Sequence, residues 1–177
     1  MSKVKRYMFT PQCTVYGRKG LEINFDWDDP EEWLKDKSLV GLEGDELKQA
    51  LKKPFVVMHD IGIEIKFEGE KYSFVIPCYY DWNGANVPAC AWLLIGQRTD
   101  PRFKLASCVH DYMCEHKYCV RNNRYLSTLV FETLCEYFGR FNAVKRWAMF
   151  HSVDNFQKLQ GWWICLKNLN ISMGFQN

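Results

Sequence analysis

Ile61-Gly62-Ile63-Glu64-Ile65-Lys66-Phe67-Glu68-Gly69-Glu70-Lys71-Tyr72-Ser73-Phe74-Val75-Ile76 is the stretch that decides the fold. Apolar residues recur at every second position along its first seven residues, the period of a β-strand with two distinct faces. Glu68-Gly69-Glu70 supplies a turn, and Tyr72-Ser73-Phe74-Val75-Ile76 answers as a second strand. Phe55-Val56-Val57-Met58, just after Pro54, has the same extended character. Residues 55–76 therefore predict an antiparallel hairpin within a small sheet. Residues 77–88, rich in Asn, Gly and aromatics, read as a structured loop rather than a strand.

Downstream the period changes to that of helices. Asp100-Pro101 is an N-cap followed by a residue suited to the first helical position, and residues 103–114 follow as a helix. Residues 126–138 carry apolar side chains at 126, 129, 130, 134 and 138 and stop at Gly139. Residues 143–159 continue as a third helix, and the apolar stretch Gly161-Trp162-Trp163-Ile164-Cys165 predicts burial against the sheet.

Upstream the chain is irregular. Asp29 as N-cap and Pro30 at the first helical position, with acids in the first turn, predict a helix start within residues 26–34. Gly44 precedes a second short helix over 45–51, and a strand is expected somewhere in 7–16. The expected architecture is α+β in a single domain over 1–177. Residues 1–53 form an irregular extension with short helices, 54–88 the hairpin and loop, and 89–177 a layer of about three helices on the sheet.

Composition sets outer bounds. The 177 residues are 47% hydrophobic and 25% charged, ordinary globular values that exclude wholesale disorder. Aromatics reach 16%, a type enriched where proteins meet partners. The net charge of +2 is too small to suggest nucleic-acid binding, and no nucleotide-binding motif or nucleophile elbow is present. No run approaches 18 apolar residues, so no transmembrane segment is expected, and Met1-Ser2-Lys3-Val4-Lys5-Arg6 has no signal-peptide core. The eight cysteines are therefore expected as free, mostly buried thiols. Cys108, His110, Cys114, His116 and Cys119 crowd together, yet no pair has the Cys-x-x-Cys spacing of a structural zinc site.

His110-Asp111 is the pair that could carry chemistry. Alone it means little, because His59-Asp60 repeats it elsewhere in the chain. Adjacent helix residues also point about 100° apart, so the two side chains are not expected to orient one another. Asn155, Gln157 and Gln160 read as ordinary solvated positions, and Lys145-Arg146 as a surface pair.

Order along the chain adds to this. Residues 75–88 run Val-Ile-Pro-Cys-Tyr-Tyr-Asp-Trp-Asn-Gly-Ala-Asn-Val-Pro, then Trp92, Leu93, Leu94 and Gly96 follow, then Ala106-Ser107-Cys108-Val109-His110-Asp111-Tyr112-Met113. Over about residues 72–160 this order resembles a family of phage and prophage proteins of unknown function. That family has a loop ending Ala-Ser-Val-Pro, a helix with Ala-x-x-His-Asp-x-x-Tyr, and a later helix with an Asp near its start. Its loop Asp falls on Asn83, its second-helix Asp on Ser127 and its tyrosine on Cys114. The His-Asp helix also resembles the active-site helix of phospholipases A, where the His activates water and the Asp holds calcium. That likeness implies His110 as general base, with Glu115 or Glu132 as the only helpers in place of an orienting carboxylate, and Asp111 with Asp81 as possible calcium ligands.

The departures favour a bracing role, in which His110 and Asp111 bond the loop that holds Asp81, Asn83, Gly84 and Asn86. The expected function is a phage-encoded structural or interaction protein, virion- or tail-associated, with a degenerate His-Asp site and no cofactor. Its partners would be other phage proteins. It would be made in the host cytoplasm and incorporated in the virion. The alternative is a small metal-assisted, phospholipase-A-like esterase.

Overall fold

The computed structural model describes residues 9–84, 100–121 and 123–172, and their side chains apart from those at 118 and 159–172. Strands β1 (Cys13–Tyr16), β2 (Glu22–Phe25), β5 (Ile61–Phe67) and β6 (Glu70–Ile76) form a four-stranded antiparallel sheet in the order β1-β2-β5-β6. A second antiparallel sheet joins β3 (Leu34–Asp36), β4 (Phe55–Val57) and β7 (Asp81–Trp82) in the order β3-β4-β7. The helices are α1 (Gly44–Lys52), α2 (Lys104–Glu115), α3 (Arg124–Tyr137) and α4 (Ala143–Ser172). The fold is α+β, with a C-terminal layer of three helices, as expected.

The hairpin forms over Ile61–Ile76, while Phe55–Val57, expected in the same sheet, pairs with β3 and β7 in the second one. Phe67 pairs with Glu70, so Glu68-Gly69 is a two-residue turn, and φ of 50° and 79° at those residues gives it the primed form that matches strand twist. Across the sheet the alternation sorts side chains cleanly. Val15, Ile23, Ile65 and Tyr72 stand in one cross-strand row, and Cys13, Phe25, Ile63 and Phe74 in another on the same face. The opposite face carries Thr14, Asn24, Glu64 and Ser73. There the Thr14 hydroxyl donates to Asn24 Oδ1 at 2.7 Å, and buried Glu64 pairs with Lys71 at 2.5 Å. The apolar face takes the helices, with Phe25 edge-on to Phe138 and Phe74 stacked on Tyr112.

The N-terminal third departs from expectation. It supplies β1, β2 and β3, and so completes both sheets instead of extending from them. The helix start expected within 26–34 is absent. Asp29 Oδ1 accepts the Glu31 N–H at 3.1 Å and its carbonyl accepts from Glu32, which makes a turn. The chain then enters β3, where Leu34 pairs with Val57. A few residues of helix cannot offset the cost of nucleation, and pairing with β4 captures the segment instead.

The other helices meet expectation. Asp100 caps by accepting the Arg102 N–H at 3.0 Å, Asn123 accepts the Leu126 N–H at 2.9 Å, and α3 ends before Gly139. The last helix is longer than expected, because α4 runs on through 161–165 to Ser172. The expected burial of Trp162 and Trp163, and the part of the loop after Gly84, lie outside the described residues. Cys13, Cys78, Cys108, Cys114, Cys119 and Cys135 are free thiols, and no described helix is long and apolar enough to cross a membrane.

Candidate functional site

Helix α2 is wrapped on nearly every side, and all nine residues from Leu105 to Met113 are buried. The sheet covers one flank through the Phe74–Tyr112 stack, and Phe131 of α3 lies 5.3 Å from the His110 ring on another. Trp82 on β7 donates its indole N–H to Ser107 Oγ at 3.0 Å, which fixes the short strand against the helix. His110 and Asp111 are 5% and 6% exposed, so each of their polar atoms needs a protein partner.

Those partners come from three elements. Gln157 on α4 places its amide nitrogen 2.7 Å from His110 Nε2 and 3.1 Å from Cys114 Sγ. Thr128 on α3 donates to Gln157 Oε1 at 3.0 Å, which sets the amide so that its nitrogen faces the ring. Ser127, where the phage-family resemblance puts an aspartate, has its Oγ 3.4 Å from the same nitrogen. Gln157 therefore occupies the place of the orienting group. His110 Nδ1 comes within 3.4 Å of Asp111 Oδ1, so the neighbours do meet, contrary to the helical-wheel expectation, through a long and weak contact. With its amide nitrogen turned to the carboxylate, Asn83 donates to Asp111 Oδ2 at 3.1 Å and to the Gly84 carbonyl at 3.0 Å. Gly84 has φ of 85°, a left-handed turn open to glycine.

Beside this cluster lies a cavity of about 90 Å³ lined by Lys53, Trp82, Asn83, Asp111, Cys114 and Glu115. His110 stands behind it, covered by Cys114 and Asp111. Burial opposes charge on the imidazole, but the contacts with Asp111 and Cys114 outweigh it and push the ring up to about 9. Burial likewise raises Asp111 above the usual carboxylate range, against the pull of His110. Tyr80 donates to Glu115 Oε2 at 3.1 Å, and burial together with that carboxylate pushes the phenol far up.

The other expected site residues fall elsewhere. Asp81 does not face the pair. Its two oxygens are held by Lys37 at 2.6 Å and Lys53 at 2.9 Å, and those lysines keep it below the usual range despite partial burial. Asp81 and Asp111 thus offer no joint anionic set for calcium. Among the described residues no three His, Cys, Asp or Glu side chains converge as metal ligands. Glu132 pairs with Arg18 at 2.8 Å rather than with His110, and Glu115 holds Tyr80. Asn86 lies outside the described residues. Gln157, read from sequence as solvated, is the central partner. The missed signal is its spacing: buried Met149 and Val153 precede it at steps of four, on one helix face.

The fold and site define a small α+β protein whose helical layer encloses a His-Asp-Gln cluster beside a narrow cavity. The chain belongs to the family described as protein of unknown function (DUF1353), whose model matches residues 57–153. That span runs from the end of β4 into α4 and contains Asn83, His110, Asp111 and Ser127. No curated protein and no solved structure matches the chain.

Proposed function

We propose that this protein is a structural or interaction protein encoded by a phage or prophage, made in the host cytoplasm and assembled with other phage proteins in the virion or tail. Its His-Asp pair braces the fold and does not turn over substrate as a phospholipase-like esterase. The supporting observation is the disposition of His110: Nε2 faces Gln157 at 2.7 Å, Nδ1 faces Asp111, and the ring is no part of the cavity wall. A general base must reach the water it activates, and this imidazole reaches α4 instead. The surface supports the same reading. Val144 and Trp147 on α4 and Tyr137 on α3 are 76%, 65% and 56% exposed, apolar side chains open to neighbouring chains.

The test is quantitative mass spectrometry of purified particles from cells that produce this chain. A fixed copy number relative to the other particle proteins is the expected result. Absence from the particles overturns the reading.

A further inference from the structure

The contacts that take His110 away from water bring it to a thiol. Cys114 lies one turn after His110 on α2, half-buried, with Sγ 3.6 Å from His110 Nε2. Gln157 Nε2 is 3.1 Å from the sulfur and 2.7 Å from His110 Nε2, within reach of both. Cys114 lines the cavity and His110 does not, which leaves the sulfur as the nucleophile that faces the space. The geometry points to Cys114 as a nucleophilic thiol, served by His110 as base, that accepts a small acyl group from an activated ester entering this cavity.

Each part has a chemical role. A thiol reacts as its thiolate, and an adjacent imidazole is the common means of forming one. Cys114 gives its proton to His110 Nε2 before the ester arrives, so Sγ attacks the acyl carbon as the thiolate of a thiolate–imidazolium pair. The bond from the acyl carbon to the ester oxygen breaks, and the alcohol departs with that proton from His110. Cys114 keeps the acyl group as a thioester. Asp111, 3.4 Å from Nδ1, steadies the imidazolium and is a positioning residue. Lys53, bonded to Asp81 and acting on Asp111 and Glu115 through its charge, gives the cavity wall a cation. A cavity of about 90 Å³ has room for an acetyl-sized group.

This inference is independent of the particle role and is tested on the full-length, reduced protein with p-nitrophenyl acetate. The expected result is a burst of nitrophenolate approaching one equivalent per chain, with the acetyl group on the peptide that contains Cys114. Cys114→Ser abolishes the burst, and His110→Gln slows it by on the order of tenfold or more. Because His110→Gln can weaken the fold, the wild type supplies a second readout, the pH profile of iodoacetamide labelling at Cys114 and Cys78. His110, Asp111 and Glu115 on α2, Lys53 after α1 and nearby Cys119 are the ionisable groups around that sulfur. Labelling of Cys114 is expected to persist to lower pH than labelling of Cys78. Acetyl spread evenly over the cysteines, or identical pH profiles at the two sites, overturns the inference.

Discussion

The dipeptide His-Asp occurs twice in this chain, and the two copies do different work. His59-Asp60 sits in the exposed connection between β4 and β5. There the His59 ring packs 4.9 Å from Trp27 and 5.1 Å from Trp33, and Asp60 Oδ1 accepts the Cys78 N–H at 2.7 Å. The Asp60 carbonyl accepts from the Trp27 indole at 3.1 Å. These bonds tie three surface segments together, with water ready to replace any one of them. His110-Asp111 sits inside a wrapped helix, where each polar atom is matched to a named protein partner. The residues are the same, but burial turns an ordinary turn clasp into a cluster with altered proton affinity and a thiol within reach.

Removal of the two histidines should break this comparison most sharply. His110→Ala leaves a void and strands the Gln157 amide and the Asp111 carboxylate, and is expected to cost about 3 kcal/mol in urea denaturation. Equal losses for His110→Ala and His59→Ala would sink the distinction between the two sites. Titration gives a second, smaller difference. The folded His110 is raised from 6.5 to about 9, so the imidazolium is favoured in the native state. Its contribution is fully present below pH 6.5 and is lost as pH rises through about 9. Urea midpoints at the two ends of that window should therefore differ more for the wild type than for His110→Gln, and equal differences would show the ring titrating normally. Asp60→Ala removes the bond to Cys78 N–H and should cost about 1 kcal/mol. The smallest effect is expected from His59→Ala, within about 0.5 kcal/mol, because the ring is exposed.

Much of the fold was legible from short-range pattern. Two-residue alternation placed β5 and β6, and their turn needed only Gly69 and a neighbour that tolerates positive φ. Asp100 announced α2, because capping is a bond between residues two or three apart, and the apolar stripe ending at Gly139 announced α3. What escaped was long-range. The segment at 26–34 has every local mark of a helix start, and Leu34 nevertheless pairs with Val57, a residue no local pattern names. Strand β7 is two residues long and exists through its pairing with β4.

The site divides along the same line. The sequence alone singled out His110 and Asp111 and the loop residue Asn83, which reaches Asp111 Oδ2 when its amide nitrogen is turned to the carboxylate. Asp81, Glu115 and Glu132 carried the right chemistry for helpers, yet each is engaged by a closer partner: the lysines, Tyr80 and Arg18. Gln157 reads as solvated because an amide carries no signal of its own, although it shares a helix face with buried Met149 and Val153.

The sequence by itself determined the α+β class, the hairpin and the helical second half, since side-chain period and capping act within a few residues. Only the tertiary structure decided that the N-terminal third completes both sheets, that Gln157 holds His110, and that Cys114 faces the cavity. Those outcomes depend on which elements pack together, and burial, unlike local pattern, is a property of the whole chain.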